Sequence, residues 1–307
     1  MRFSAKKKKW LIQNNKRLQG ILVGDAINHA QAADIYYRKA LDAELSRFIN
    51  SLYKDLQRHY NIIRIQNAYT GAQKSPASVR KVLNLYKGAK FKIFMRNAEK
   101  IVNKWIKKAS GLTEKSVRDM LYKMAGQQFS INYDAAYNEA LKLMVRRNVQ
   151  LITNATTQTL TNVENIVYDA MTTGQGWYDV SNTLKTQQEV SAKRIKLIAR
   201  DQTAKTNQAL NELAQRDAGI EYFMWRTAQD ERVSTGKGGH KQLNNKIYKW
   251  GDFENYPEID SYGNRGVPSQ RPNCRCTALA VVLLKGWRLK QLPDGSYEVV
   301  KDKNIDY

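Results

Sequence analysis

Apolar residues recur at helical spacing through most of the chain. Leu41, Leu45, Phe48, Leu52 and Leu56 follow one another at steps of three and four residues, which places them on one face of an amphipathic helix over about 28–60. Further helices are predicted over 78–109, 112–126, 131–172, 177–188 and 191–218. Their predicted boundaries include a stop at Gly111, N-caps at Thr113 and Ser191, and a stop at Gly219.

The pattern changes after Gly219, where residues of high β propensity replace the helical stripe. Strands are predicted in 220–228, 246–250 and 274–284, and a hairpin over 287–301 turns at Asp294-Gly295. The predicted fold class is mainly α, with an elongated α-helical N-terminal body followed by a small α+β, β-rich C-terminal module. The predicted divisions are a basic N-terminal arm (1–27), an α-helical body (28–189), a C-terminal domain (190–284) and a C-terminal hairpin extension (285–307).

Positive charge is concentrated in the first part of the chain. The net charge is +23, and residues 1–110 carry 24 Lys and Arg against 6 Asp and Glu, or +18, which leaves +5 for the other 197 residues. Such a region predicts a polyanionic partner, most often nucleic acid bound without sequence preference, or an acidic protein surface. The residues expected to make this contact are those of the basic arm: Lys6, Lys7, Lys8, Lys9, Lys16 and Arg17.

Neither export nor membrane insertion is predicted. The N-terminus lacks the apolar stretch of a secretory signal, and no apolar run approaches the roughly 18 residues of a membrane-spanning helix. With only two cysteines, the expected place of synthesis is a reducing cytosol.

Both cysteines fall in one tripeptide, Cys274-Arg275-Cys276. On a strand, residues at i and i+2 face the same side, so the two sulfurs should lie together. Paired thiolates suit zinc, with His240 as a third ligand and Asp230 as a possible fourth. The alternative is a pair of small buried thiols packed in a β-core, with His240 hydrogen-bonded beside them, and the sequence leaves both open.

The acidic residues near His240 also allow two interpretations. Asp230 and Glu231 could join His240 around the metal of a nuclease. Alternatively, Asp230 pairs with Arg232 or Arg275 and fixes a turn. No phosphate-binding loop and no dinucleotide-binding fingerprint occur in the chain.

Residues 190–282 resemble the C-terminal domain of phage Mu F-like minor head proteins, also called phage head morphogenesis proteins. The resemblance rests on a combination of residues in this chain: Ile198-Ala199-Arg200, Gly219-Ile220, Trp225, Thr227, Asp230, Arg232-Val233, His240, Leu243, Ile247 and Pro272 through Cys276, including Arg275. Two segments, "STGKGGH" before the histidine and "NNK" after Leu243, depart from the family's pattern.

The resemblance implies a structural, non-enzymatic component of a tailed-phage head. Such a protein would be made in the host cytoplasm and lie inside the virion near the portal, acting in head assembly, DNA packaging or ejection. Its implied partners are the portal protein and phage double-stranded DNA, with the major capsid or scaffold protein as further candidates. Two alternatives are a metal-dependent nuclease acting on DNA in the head and a pure portal or scaffold adaptor without DNA binding.

Overall fold

Long helices dominate the fold, as predicted. The computed structural model describes residues 20–26, 31–70, 77–125 and 135–302. The helices are α1 (Gln31–Thr70), α2 (Ala77–Lys87), α3 (Ala89–Ala125), α4 (Ala135–Thr172) and α5 (Trp177–Asp217). Within the described ranges, no helix is both long and apolar enough to cross a membrane.

Three predicted helix boundaries are wrong: the stop at Gly111 and the N-caps at Thr113 and Ser191. Thr113 is buried inside α3 and begins no helix. Gly111 does not end a helix but lies inside α3, because buried Ile106, Ala109 and Thr113 continue the packed face across it. Ser191 does not begin a helix but lies inside α5. Its hydroxyl donates to the Gln187 carbonyl at 2.8 Å and pairs with the Thr159 hydroxyl at 3.0 Å instead of capping a helix.

The predicted stop at Gly219 is confirmed. The helix α5 ends at Asp217, and Gly219 follows with a φ of +75°. The Gly219 N–H donates to the Arg216 carbonyl at 2.9 Å, and the Ile220 N–H donates to the Gln215 carbonyl at 2.9 Å. This pair of bonds is the Schellman arrangement, which favours glycine at the left-handed position.

The chain divides into two compact units. The helical unit comprises the described residues within the ranges 32–107 and 140–202. Its core contains the predicted apolar stripe of α1, since Leu41, Leu45, Phe48, Leu52 and Leu56 are all buried. Aromatic residues add to this core: the rings of Tyr37 and Trp105 are buried and stack with their centroids 4.2 Å apart.

The sheet unit comprises the described residues within the ranges 1–31, 108–139 and 203–307. Its strands are β1 (Ile21–Val23), β2 (Tyr222–Arg226), β3 (Ile247–Lys249), β4 (Thr277–Leu283), β5 (Trp287–Gln291) and β6 (Tyr297–Lys301). They form one sheet in the order β1-β4-β2-β3-β6-β5, with every neighbouring pair antiparallel. The predicted strands and the hairpin are confirmed, and the hairpin joins this sheet through Ile247 and Tyr297.

The first strand was not predicted, because it falls at the end of the stretch interpreted as a basic arm. Ile21, Leu22 and Val23 pair with Leu283, Val282 and Val281 of β4. Ile21 and Leu22 are each 1% exposed. A three-residue apolar stretch between polar neighbours carries too little periodicity to be distinguished from a loop.

Candidate metal centre

Two loops of the sheet unit bring a histidine and both cysteines together. His240 ends the glycine-containing loop that follows β2, and Cys274 and Cys276 immediately precede β4. Gly238 lets the first loop approach the backbone of Asp260, since a β-carbon at Gly238 would lie 2.1 Å from the Asp260 carbonyl oxygen. The cysteines were predicted within the strand, but β4 begins only at Thr277.

The ligand atoms of this cluster converge on one point. His240 Nδ1 lies 3.4 Å from Cys274 Sγ and 3.5 Å from Cys276 Sγ. All three ligand atoms lie within 4.8 Å of one another. His240 and Cys276 are 5% and 3% exposed, and both thiols are free of disulfide bonding. The predicted grouping of His240, Cys274 and Cys276 is therefore present in the fold.

Neighbouring groups orient the histidine and the first cysteine. His240 Nε2 lies 3.2 Å from the Ile259 carbonyl oxygen, which can only accept, so this bond requires a proton on Nε2. In the neutral ring, the Nδ1 lone pair then points toward the sulfurs. The Ser269 N–H donates to Cys274 Sγ at 3.3 Å, and the Ser269 hydroxyl donates to the Cys276 carbonyl at 2.9 Å.

The two thiols differ in acidity. A hydrogen bond from Cys276 stabilises the Cys274 thiolate and lowers the pKa of Cys274 despite burial. The same hydrogen bond, together with burial, raises the pKa of Cys276. A cation close to both sulfurs would favour the thiolate form of each.

Asp230 does not belong to this cluster, which corrects its prediction as a possible fourth ligand. Arg275 donates to both of its carboxylate oxygens at 2.6 Å, and the Arg232 N–H donates to Oδ1 at 3.2 Å. These bonds lower the pKa of Asp230 to about 2, and those from Arg275 have the largest effect. Asp230 pairs with Arg275 and also with Arg232, the two partners that the alternative prediction named.

The ligand set of a nuclease is not assembled in the described residues. Among them, the only group of His, Cys, Asp and Glu side chains with mutually close ligand atoms is His240, Cys274 and Cys276. Asp230 and Glu231 are therefore not brought together with His240. The predicted DNA contacts Lys6, Lys7, Lys8, Lys9, Lys16 and Arg17 lie outside the described residues.

A cleft opens beside the cluster. Its volume is ≈ 210 Å³, and its lining includes the three clustered residues together with Arg232, Arg271 and Arg275, as well as Ser234. Sequence reasoning missed Ser269 and the Ile259 carbonyl, which orient the ligands, because neither a loop serine nor a backbone carbonyl carries a recognisable motif. Trp225, the remaining family-motif residue, is buried with its ring 5.3 Å from that of His240.

Comparison with known proteins confirms the resemblance found in the sequence. Residues 161–279 match the family described as Phage Mu protein F like protein. The chain is also 25% identical over 281 residues to a Haemophilus influenzae protein described as uncharacterized. That alignment covers 91% of this chain and 57% of the relative. No solved structure matches the chain significantly.

Proposed function

We propose that this chain, which carries a Phage Mu F-like region over residues 161–279, is a structural minor head protein of a tailed bacteriophage. It resides inside the virion near the portal and contacts packaged double-stranded DNA without sequence preference during head assembly, packaging or ejection. The family match supports the assignment to the head. The contact with DNA is supported by a separate observation on α3.

One face of α3 is strongly basic. Between Ala89 and Lys107, α3 contains six Lys or Arg residues and a single acid, Glu99. The six cations are all exposed: Lys90, Lys92, Arg96, Lys100, Lys104 and Lys107. At 100° per residue they fall within an arc of about 160° and extend over about 25 Å of helix. We call this surface the basic face of α3.

The other side of the same helix is packed. Phe94, Ala98, Val102, Trp105 and Ile106 are buried, and helical geometry places them opposite the basic face. This packing fixes the orientation of the helix, so the cations point away from the core together. In the described part of the chain, Lys92, Arg96 and Lys100 form no ion pair.

A duplex is a suitable partner for this surface. It carries one negative charge per about 1.7 Å of its axis, so the basic face of α3 can lie along several phosphates at once. Lysines without carboxylate partners release condensed counterions when they bind phosphates, and this release drives association without reading the bases. The basic arm would add contacts of the same kind.

The test is the salt dependence of DNA binding. The variant Lys92→Gln/Arg96→Gln/Lys100→Gln/Lys104→Gln should bind a random-sequence duplex more weakly, and the slope of log K against log salt should fall by about 0.9 for each phosphate that is no longer neutralised. The charge-matched control replaces four exposed cations of α5, Lys185, Lys193, Arg194 and Arg200, by Gln and should retain the slope. Fluorescence anisotropy measures both.

The alternatives give different results. A pure adaptor would give a different pair of results. The α3 variant would bind DNA as well as the wild type does, and it would lose a binding to the portal protein that survives nuclease treatment in the wild type. Plasmid nicking with added divalent metal, abolished by His240→Ala, would favour a nuclease. Absence of the chain from purified virions, measured by mass spectrometry, would overturn the head assignment whatever the binding data show.

A further inference from the structure

We propose that His240 Nδ1, Cys274 Sγ and Cys276 Sγ bind one Zn²⁺ ion, with the fourth coordination position open to the cleft for water or an anion. Two sulfurs and an imidazole nitrogen form a donor set that zinc prefers and that Mg²⁺ and Ca²⁺ do not. The proposal depends on the geometry of the sheet unit and is independent of any contact with DNA.

The two distances from His240 Nδ1 to the cysteine sulfurs are close to those that a tetrahedral zinc would impose. With Zn–S near 2.3 Å, Zn–N near 2.0–2.1 Å and tetrahedral angles, a sulfur and a nitrogen bound to one zinc lie about 3.6 Å apart. The observed Nδ1···Sγ distances are 3.4 and 3.5 Å. A thiol hydrogen bond could also span such a distance. However, Nδ1 has a single in-plane lone pair, whereas both sulfurs approach it almost equally.

The surrounding hydrogen bonds also fit a bound cation. Ligating histidines usually donate their other ring N–H to a carbonyl or carboxylate, which fixes the tautomer; His240 meets the Ile259 carbonyl in this way. The Ser269 N–H directed at Cys274 Sγ stabilises a thiolate. Two thiolates and one Zn²⁺ are together neutral, which removes the cost of burying two like charges.

The residues that line the cleft determine which group can act as the fourth ligand of the zinc ion. Three protein ligands and an open fourth position are typical of zinc sites that bind water or an exogenous group. The Asp230 carboxylate is turned toward Arg275 rather than toward the sulfurs. Since Arg232, Arg271 and Arg275 line the cleft, its positive charge favours an anion, such as inorganic phosphate or chloride, over a cation at that position.

Elemental analysis of folded protein dialysed into chelator-treated buffer tests the proposal. We expect about one zinc per chain in the wild type and in Asp230→Asn, and a loss of at least tenfold in zinc affinity in Cys276→Ser and His240→Ala. The control Phe223→Leu disturbs the same core, where Phe223 stacks on Trp250 at 4.0 Å, without removing a ligand. It should keep its zinc.

A measurement on the wild type alone avoids variants that fail to fold. Replacing zinc by Co²⁺ should produce a thiolate-to-cobalt charge-transfer band, which phosphate should perturb by entering the fourth position. Folded wild-type protein that contains no zinc, and whose two thiols react freely without releasing metal, would overturn the metal site. A cobalt spectrum insensitive to phosphate and chloride, together with zinc loss in Asp230→Asn, would overturn the open fourth position.

Discussion

A buried amide connects α5 to the sheet at the scale of single residues. Gln215 is 0% exposed. Its Nε2 donates to Asn211 Oδ1 at 2.8 Å and to the Ala278 carbonyl at 3.4 Å, while its Oε1 accepts from Trp250 Nε1 at 3.1 Å. Two turns earlier on the same helix, Gln208 is also buried, but its Nε2 has no hydrogen-bond partner among the described residues.

These two glutamines predict opposite responses to the same substitution. Gln215→Met keeps the volume but removes the hydrogen bonds to the Trp250 indole N–H and to Asn211 Oδ1, so the free energy of unfolding should fall by about 1–3 kcal/mol. Gln208→Met removes a buried Nε2 that has no hydrogen-bond partner and should be neutral or stabilising. Urea unfolding of the two variants measures the difference, and equal losses would contradict the role given to Gln215.

The residues of the proposed metal centre show what single positions can reveal in a sequence. Cys274, Cys276 and His240 were predicted to meet because those residue types bind zinc and the chain offers few others. Asp230 was also a candidate ligand, because a sequence cannot show whether a carboxylate faces a thiol or an arginine. Arg275 lies between the two cysteines in the sequence, and only the three-dimensional structure shows that its side chain binds Asp230.

At the scale of elements, glycine behaves differently inside and after a helix. Gly111 lies inside α3, and a β-carbon there would meet nothing within 4 Å. Gly111→Ala should therefore raise the free energy of unfolding by about 0.5–1 kcal/mol. Gly219 has equal space but a φ of +75°, so Gly219→Ala should lower it by about 1–2 kcal/mol. A loss in both variants would imply that α3 ends near Gly111 in solution.

Asp294 holds the turn of the β5–β6 hairpin. Its Oδ2 accepts from Lys246 Nζ at 2.7 Å, and its Oδ1 accepts from the Ser296 N–H at 3.0 Å and hydroxyl at 2.6 Å. Burial alone would raise the pKa of Asp294, but the bonds from Lys246 and Ser296 outweigh this effect and lower the pKa to about 2. The carboxylate form is therefore the one that the folded hairpin stabilises.

This lowered pKa predicts a pH dependence. The unfolded pKa is about 3.9, so the stabilisation is present above about pH 4 and is lost as the pH falls toward about 2. Both partners are more than a third exposed, so solvent screening limits the effect to about 1 kcal/mol or less. Asp294→Asn should lower the melting temperature at pH 6, and its difference from the wild type should shrink between pH 4 and pH 2. A constant difference would exclude the ionic contribution.

The helices also show why element types were predictable and their boundaries were not. The spacing of apolar residues identified the helical segments, and Gly219 identified the end of α5. Both signals are local in the sequence. The continuity of α5 through Ser191 depends on Thr159, 32 residues away, and that of α3 through Gly111 depends on tertiary packing. Interactions distant in sequence override local capping preferences.

At the scale of the whole molecule, charge and packing divide the N-terminal residues between two expected roles. Residues 1–19 contain seven Lys or Arg and no acid, and we propose that they contact DNA together with the basic face of α3. Immediately after them, β1 contributes Leu22 to a core with Val117, Met120 and Leu121. The backbone N–H of Gly24 donates to the Ala280 carbonyl at 2.8 Å, which extends the pairing with β4.

Two truncations should separate these roles. Deleting residues 1–19 should weaken binding to a random-sequence duplex and reduce the salt slope by about 0.9 for each phosphate that the arm neutralises. Deleting residues 1–26 should in addition lower the free energy of unfolding, because it removes the buried side chains of Ile21 and Leu22, whose burial contributes about 1.5–3 kcal/mol each. Anisotropy and urea unfolding of both proteins give the two readouts. If the shorter deletion already produces the full drop in stability, residues 1–19 have a structural role. If it leaves the salt slope unchanged, the DNA-binding residues lie elsewhere, and the basic face of α3 becomes the principal candidate.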